Sequence, residues 1–79
     1  MRVRLVKIPK ELLDVSISDY ANLFYFDGKV YQIIRIVSDG TFATITYEDL
    51  FEDIKIIRNK VEAEQELLTK QKKWINNHI

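Results

Sequence analysis

The stretch LFYFDGKVYQIIRIVSDGTFATITY, residues 23–47, decides the fold. Two Asp-Gly pairs, Asp27-Gly28 and Asp39-Gly40, each lie between runs rich in β-branched and aromatic side chains. A two-residue hairpin loop asks both of its residues for positive φ, which glycine adopts freely and aspartate tolerates. The spacing predicts a three-stranded antiparallel meander over residues 23–26, 29–37 and 41–47.

If Phe26 pairs with Lys29 and Ser38 with Thr41, strict alternation assigns the faces. One face takes Leu23, Tyr25, Val30, Ile34, Ile36, Ala43, Ile45 and Tyr47, nearly all apolar, and is expected to line the core. The other takes Phe24, Phe26, Tyr31, Ile33, Arg35, Val37, Phe42, Thr44 and Thr46, a mixed set in which aromatics surround one guanidinium.

Working outward, residues 2–8 are rich in β-branched side chains and end at Pro9, which biases Ile8 to an extended conformation, so a first strand is expected. Pro9 then stands at the first position of one or two helical turns through Asp14, and residues 15–22 read as an irregular connection. Downstream, residues 48–53 predict a tight helical turn, and Ile54-Lys55-Ile56-Ile57 predicts a short strand. Meander, single turn and short strand follow the element order of small SH3-like barrels, an analogy of order alone. Asn59 with Glu62 three residues on makes a capping box, which starts a helix over 59–79. Its apolar stripe is Val61, Leu68 and Ile75, flanked by Leu67, Trp74 and Ile79, and is expected to dock on the sheet. The fold class is α+β in one domain: a β-rich core over 1–58 and a C-terminal helix.

Composition narrows the chemistry. The 79 residues give room for one core. The absence of cysteine removes disulfides, thiol catalysis and zinc fingers, and suits a cytoplasmic location. No stretch reaches the ~20 apolar residues of a membrane span. The single histidine, His78, sits next to the end of the predicted helix, a poor place to hold a catalytic base. Glycine occurs only at the two hairpin turns, so phosphate loops and dinucleotide fingerprints are missing. Glu48, Asp49, Glu52 and Asp53 are the one candidate carboxylate site, and they lack the spacing of a calcium loop. No catalytic residue, metal ligand or cofactor is expected.

Net charge is zero, yet the bases segregate. Arg2, Arg4, Lys7 and Lys10 open the chain, Lys70, Lys72 and Lys73 close it, and all 12 acids lie between. The expected function is a non-enzymatic protein-interaction module, a small regulator, adaptor or inhibitor of a larger protein. The chain's size and its Ile and Lys content suit a virus or mobile element. The expected binding residues are Phe24, Tyr31, Arg35, Phe42, Lys70, Lys73 and Trp74. The alternative is a nucleic-acid-binding module that stacks bases on Phe24 and Tyr31 beside Arg35 and the basic termini. Self-association through the C-terminal helix is a further expectation.

Overall fold

The computed structural model describes residues 2–50 and 53–78. In chain order the elements are β1 (Val3–Pro9), α1 (Lys10–Ser16), β2 (Leu23–Phe26), β3 (Lys29–Ser38), β4 (Phe42–Glu48) and α2 (Ile54–His78). The four strands form one antiparallel sheet in the order β1-β4-β3-β2, curled into a half-barrel and followed by the long helix, the α+β architecture that the sequence predicts. β1 and β2 are the two ends of the strand order and do not pair with each other, so the sheet stays open and the SH3-like closure is not reached.

The first hairpin forms as expected. Phe26 pairs with Lys29, and the loop residues Asp27 and Gly28 have φ of 51° and 78°. The second slides on by one residue. Asp39 N–H bonds to the Phe42 carbonyl at 3.0 Å, leaving Gly40 and Thr41 as the loop, with Gly40 at φ 97°. The Asp39 carboxylate causes the slide: its Oδ1 accepts the backbone N–H of Phe42 at 2.8 Å and of Thr41 at 3.0 Å. Ser38 therefore faces Ala43 rather than Thr41. A slide of two in the pairing leaves every side chain on its own face.

A β-bulge changes the faces. Ile33 pairs with Tyr47 and Arg35 with Thr46, so Ile34 is an extra residue in β3. Before the bulge the even residues of β3 share a face with Leu23; after it the odd ones do. As a result Phe24, Tyr31 and Ile33 join Ala43, Ile45, Tyr47 and Ile8 in one core, sealed by Leu12 and Leu13 of α1 and by Ile17. The expected single core face is divided. Leu23 and Val30 instead pack on the reverse side against Ala63 of α2, with Tyr25, Ala21 and Leu50 around them.

The segment expected as a strand, Ile54-Lys55-Ile56-Ile57, is the first turn of α2, and α2 begins before Asn59. Asp53 is the cap. Its Oδ1 accepts the Lys55 N–H at 2.8 Å and its carbonyl accepts the Ile57 N–H, also at 2.8 Å. β-branched residues disfavour a helix only mildly, and the capped long helix overrides them. The helical turn expected over 48–53 is not seen in its described residues: Glu48 ends β4, and Asp49, Leu50 and Asp53 are neither helix nor strand, while residues 51 and 52 lie outside the described residues. The buried side of α2 is also rotated from the expected stripe. Ala63 and Leu67 are fully buried, whereas Val61, Leu68 and Ile75 are exposed; Ile79 lies outside the described residues.

Three polar links hold α2 to the end of α1 and the segment that follows it. Ser18 Oγ donates to Glu66 Oε2 at 3.2 Å, Gln71 Nε2 donates to Ser16 Oγ at 3.4 Å, and Lys70 Nζ contacts Asp19 Oδ2 at 2.6 Å and Glu66 Oε1 at 3.4 Å. Ser16 and Ser18 are the buried polar side chains among the described residues, and both are satisfied by these bonds. No helix of the described residues is long and apolar enough to cross a membrane.

Candidate functional site

The seven binding residues expected from sequence do not form one surface. Phe24 is fully buried, stacked on Phe26 at a centroid distance of 5.6 Å and tilted against Tyr47 at 5.4 Å. Tyr31 is buried against the same Tyr47 ring at 4.7 Å. The open stacking platform is therefore corrected to a core layer. α1 and Ile8 cover it, because the bulge at Ile34 turns β4 towards this side.

Arg35 is exposed on the opposite side of the sheet, level with Thr46. Phe42, 39% exposed, carries the Lys7 ammonium 4.8 Å from its ring centroid, within cation–π range. Lys70 is engaged. Its hydrogen bond to Asp19 raises the pKa of the ammonium, helped by Glu66, while the same bond and the lysine's charge lower that of the Asp19 carboxyl. Lys73 stays exposed on α2. At the other end of the chain, Arg4 lies 3.9 Å from Asp49. The two basic ends thus have acids interleaved with them.

Trp74 is half-buried, and the His78 ring stacks on it at 4.2 Å. His78 Nδ1 donates to the Trp74 carbonyl at 2.7 Å. This i, i+4 clasp fixes the indole at the rim of a groove of about 400 Å³. The walls come from four elements: Ile8 of β1 and Leu12 of α1 on one side, Tyr25 and Phe26 of the first hairpin on another, and Trp74 and Ile75 of α2 on the third. Gln71 and Ser16, bonded to each other, form its polar end. The groove is where the packing between α1, the hairpin and α2 stops short. Its lining is apolar and aromatic with a few polar groups, the usual character of a recognition site.

Ile75 at the groove's edge also ends an apolar line on α2: Ile57, Val61, Leu68 and Ile75 follow one another at four- and seven-residue spacing and are each about half exposed. A helix side of this kind offers itself to another helix. Tyr25, Phe26 and Leu12 were not among the residues expected to bind. Nothing in their order in the chain signals that the hairpin and α1 meet beside Trp74.

The acidic residues 48–53 do not gather. Asp49 faces Arg4 and Asp53 caps α2, and Glu52 lies outside the described residues. Among the described residues no three side chains of His, Cys, Asp or Glu converge as metal ligands would. Compared with known proteins, the chain matches no family model, and no curated protein and no solved structure is significantly similar to it.

Proposed function

We propose that this chain is a protein-interaction module, a small regulator, adaptor or inhibitor that acts by binding a larger protein and not by catalysis. The observation that carries the reading is the groove at Trp74 with the apolar line on α2 beside it. Tryptophan is among the residues most enriched at binding hot spots, and this one is half-buried at the rim of an apolar groove. The clasp by His78 adds to this, because an indole already held in place loses little rotamer freedom on binding. The partner supplies an apolar anchor to the groove and an amphipathic helix to Leu68, Val61 and Ile57. The same line of side chains is the one by which α2 would pair with a second copy.

The test is selection of a displayed peptide library on the protein, with NMR shift mapping of the peptides recovered. Apolar or aromatic peptides that shift Trp74, Ile75 and Phe26 are expected, and Trp74→Ala should weaken them at least about tenfold, an ordinary hot-spot loss. Peptides that bind Trp74→Ala as well as wild type would remove the groove from the proposal. Anisotropy with short DNA and RNA is the contrasting measurement. Affinity that falls steeply with salt and depends on Arg35 and Lys73 would favour the nucleic-acid reading instead.

A further inference from the structure

β3 is longer than the strand beside it. β2 pairs only with Lys29 to Gln32, and beyond that Asn22 makes two bonds to Ile33, its carbonyl accepting the Ile33 N–H at 3.2 Å and its Nδ2 donating to the Ile33 carbonyl at 3.1 Å. From Ile34 to Ser38 that edge of β3 has no backbone partner among the described residues. The phase of the ladder shows which groups are free. Asp39 and Phe42 form a hydrogen-bonded pair, so by alternation Val37 with Thr44 and Arg35 with Thr46 are the bonded pairs as well. Ile36 and Ser38 consequently direct their N–H and C=O groups away from β4, into the lane that β2 leaves empty.

The edge is also apolar. Ile34, Ile36 and Val37 are 49%, 40% and 50% exposed, with Arg35 as the one charge. The sheet's other edges are protected. β1 carries Arg4 and Lys7 and ends at Pro9, and β2 is bridged by Ile17 and by the Ser18 N–H bonded to the Leu23 carbonyl. Charges, proline and a covering loop are the ordinary defences of an edge strand, and this stretch of β3 has only Arg35 and the bulge at its start.

We infer that the free edge of β3 pairs antiparallel with the same edge of a second copy, about a two-fold axis at Val37. In that register Ile36 faces Ser38 of the other molecule, twice over, which satisfies the free N–H and C=O groups of both residues with four backbone bonds. Val37 meets its own copy across the axis as a close, non-hydrogen-bonded pair. Arg35 faces Asp39 of the other molecule, also twice over, so charges of opposite sign meet. The alternative register centred on Ile36 would need Ile34, whose bonding the bulge disrupts, and would set Arg35 against Val37. Charge complementarity and the two free residues therefore select one register and a second copy as occupant, and the two half-barrels join in an eight-stranded sheet.

The test is sedimentation equilibrium up to roughly millimolar chain, where a weak small interface is populated, with amide exchange followed by NMR. A monomer–dimer equilibrium is expected, together with concentration-dependent protection of the Ile36 and Ser38 amides; those of Arg35 and Val37, already bonded to β4, should not respond. Ile36→Pro removes an N–H that no intramolecular bond uses, so the circular dichroism spectrum should be kept and the dimer lost. Arg35→Glu should weaken the dimer at least about tenfold by setting like charges opposite. Leu68→Lys, on α2, should leave it unchanged. A strict monomer at the highest concentration, or a dimer lost on Leu68→Lys and kept on Ile36→Pro, overturns the inference, the second result placing self-association on the helix. Peptide binding at Trp74 is measured separately, so the groove and the edge fail or stand independently.

Discussion

Phe24 of β2 and Phe42 of β4 belong to one sheet but stand in opposite surroundings. Phe24 is fully buried between Phe26 and Tyr47, and truncation to alanine would leave a cavity costing about 3–5 kcal/mol. A chain of 79 residues has only about 4–12 kcal/mol in total, so Phe24→Ala should unfold at far lower urea than wild type. Phe42→Ala should lose less than about 1 kcal/mol, the worth of an exposed ring under one lysine. At Gly28 a methyl group would meet open space, so Gly28→Ala isolates the backbone term. With φ at 78°, it should destabilise by about 1–2 kcal/mol with no change of structure.

Asp39 makes a pH prediction. The backbone N–H groups of Phe42 and Thr41 hold its carboxyl below the usual carboxylate range. The unfolded chain therefore takes up the proton more readily than the folded one. The turn's contribution is complete above an ordinary aspartate pKa of about 4 and is lost as pH falls through the lower folded value. Wild type should thus lose more thermal stability between about pH 5 and about pH 3 than Asp39→Ala does, a difference that parallel melts at the two pH values will read.

At the scale of elements, α2 separates two possible starts. Asp53 supplies a side-chain bond to the Lys55 N–H, and Asp53→Ala should cost about 1 kcal/mol. Asn59 lies inside the helix, so Asn59→Ala should be neutral or stabilising by up to about 0.7 kcal/mol, where a cap residue would have been costly. Urea midpoints of the two variants decide the matter. The sequence reading placed the start at Asn59 because the capping box is a local signal, whereas Asp53 follows a run of acids in which no single residue stands out. Ile54 to Ile57 read as a strand for a similar reason. A β-branched run speaks of propensity, and only the rest of α2 decides otherwise; Ile54, 87% exposed, gains little from burial where it stands. The hairpins, by contrast, were legible from two dipeptides, because turn chemistry acts through neighbouring atoms; α1 was legible from Pro9 too, although Pro9 ends β1 and stands just before the helix rather than at its first position. The pairing of β1 with β4 spans some forty residues of chain and left no local trace.

For the whole molecule, the hairpin of β2 and β3 is packed on both sides, by the α1 core on one and by α2 on the other. Neither helix can leave without exposing the same hairpin, so the domain should unfold as one unit. Far-UV circular dichroism, which follows α2, and Trp74 fluorescence, which follows the groove, should give coincident urea midpoints. Separate midpoints would mean that α2 detaches on its own. The site was half legible on this scale. Trp74 stood out as a lone tryptophan among lysines. Phe24 and Tyr31 were misplaced because their exposure depends on which face β4 joins, a matter settled by one residue in β3.

That residue, Ile34, is a spare one. Ile33 already faces Tyr47 and Arg35 already faces Thr46, so removing Ile34 would close the ladder into simple alternation and leave every other pair where it is. Phe24 and Tyr31 would still point inward with Ala43 and Ile45. A strand one residue shorter at this point would therefore build the same core, and the extra residue is a place where the chain tolerates a change of length.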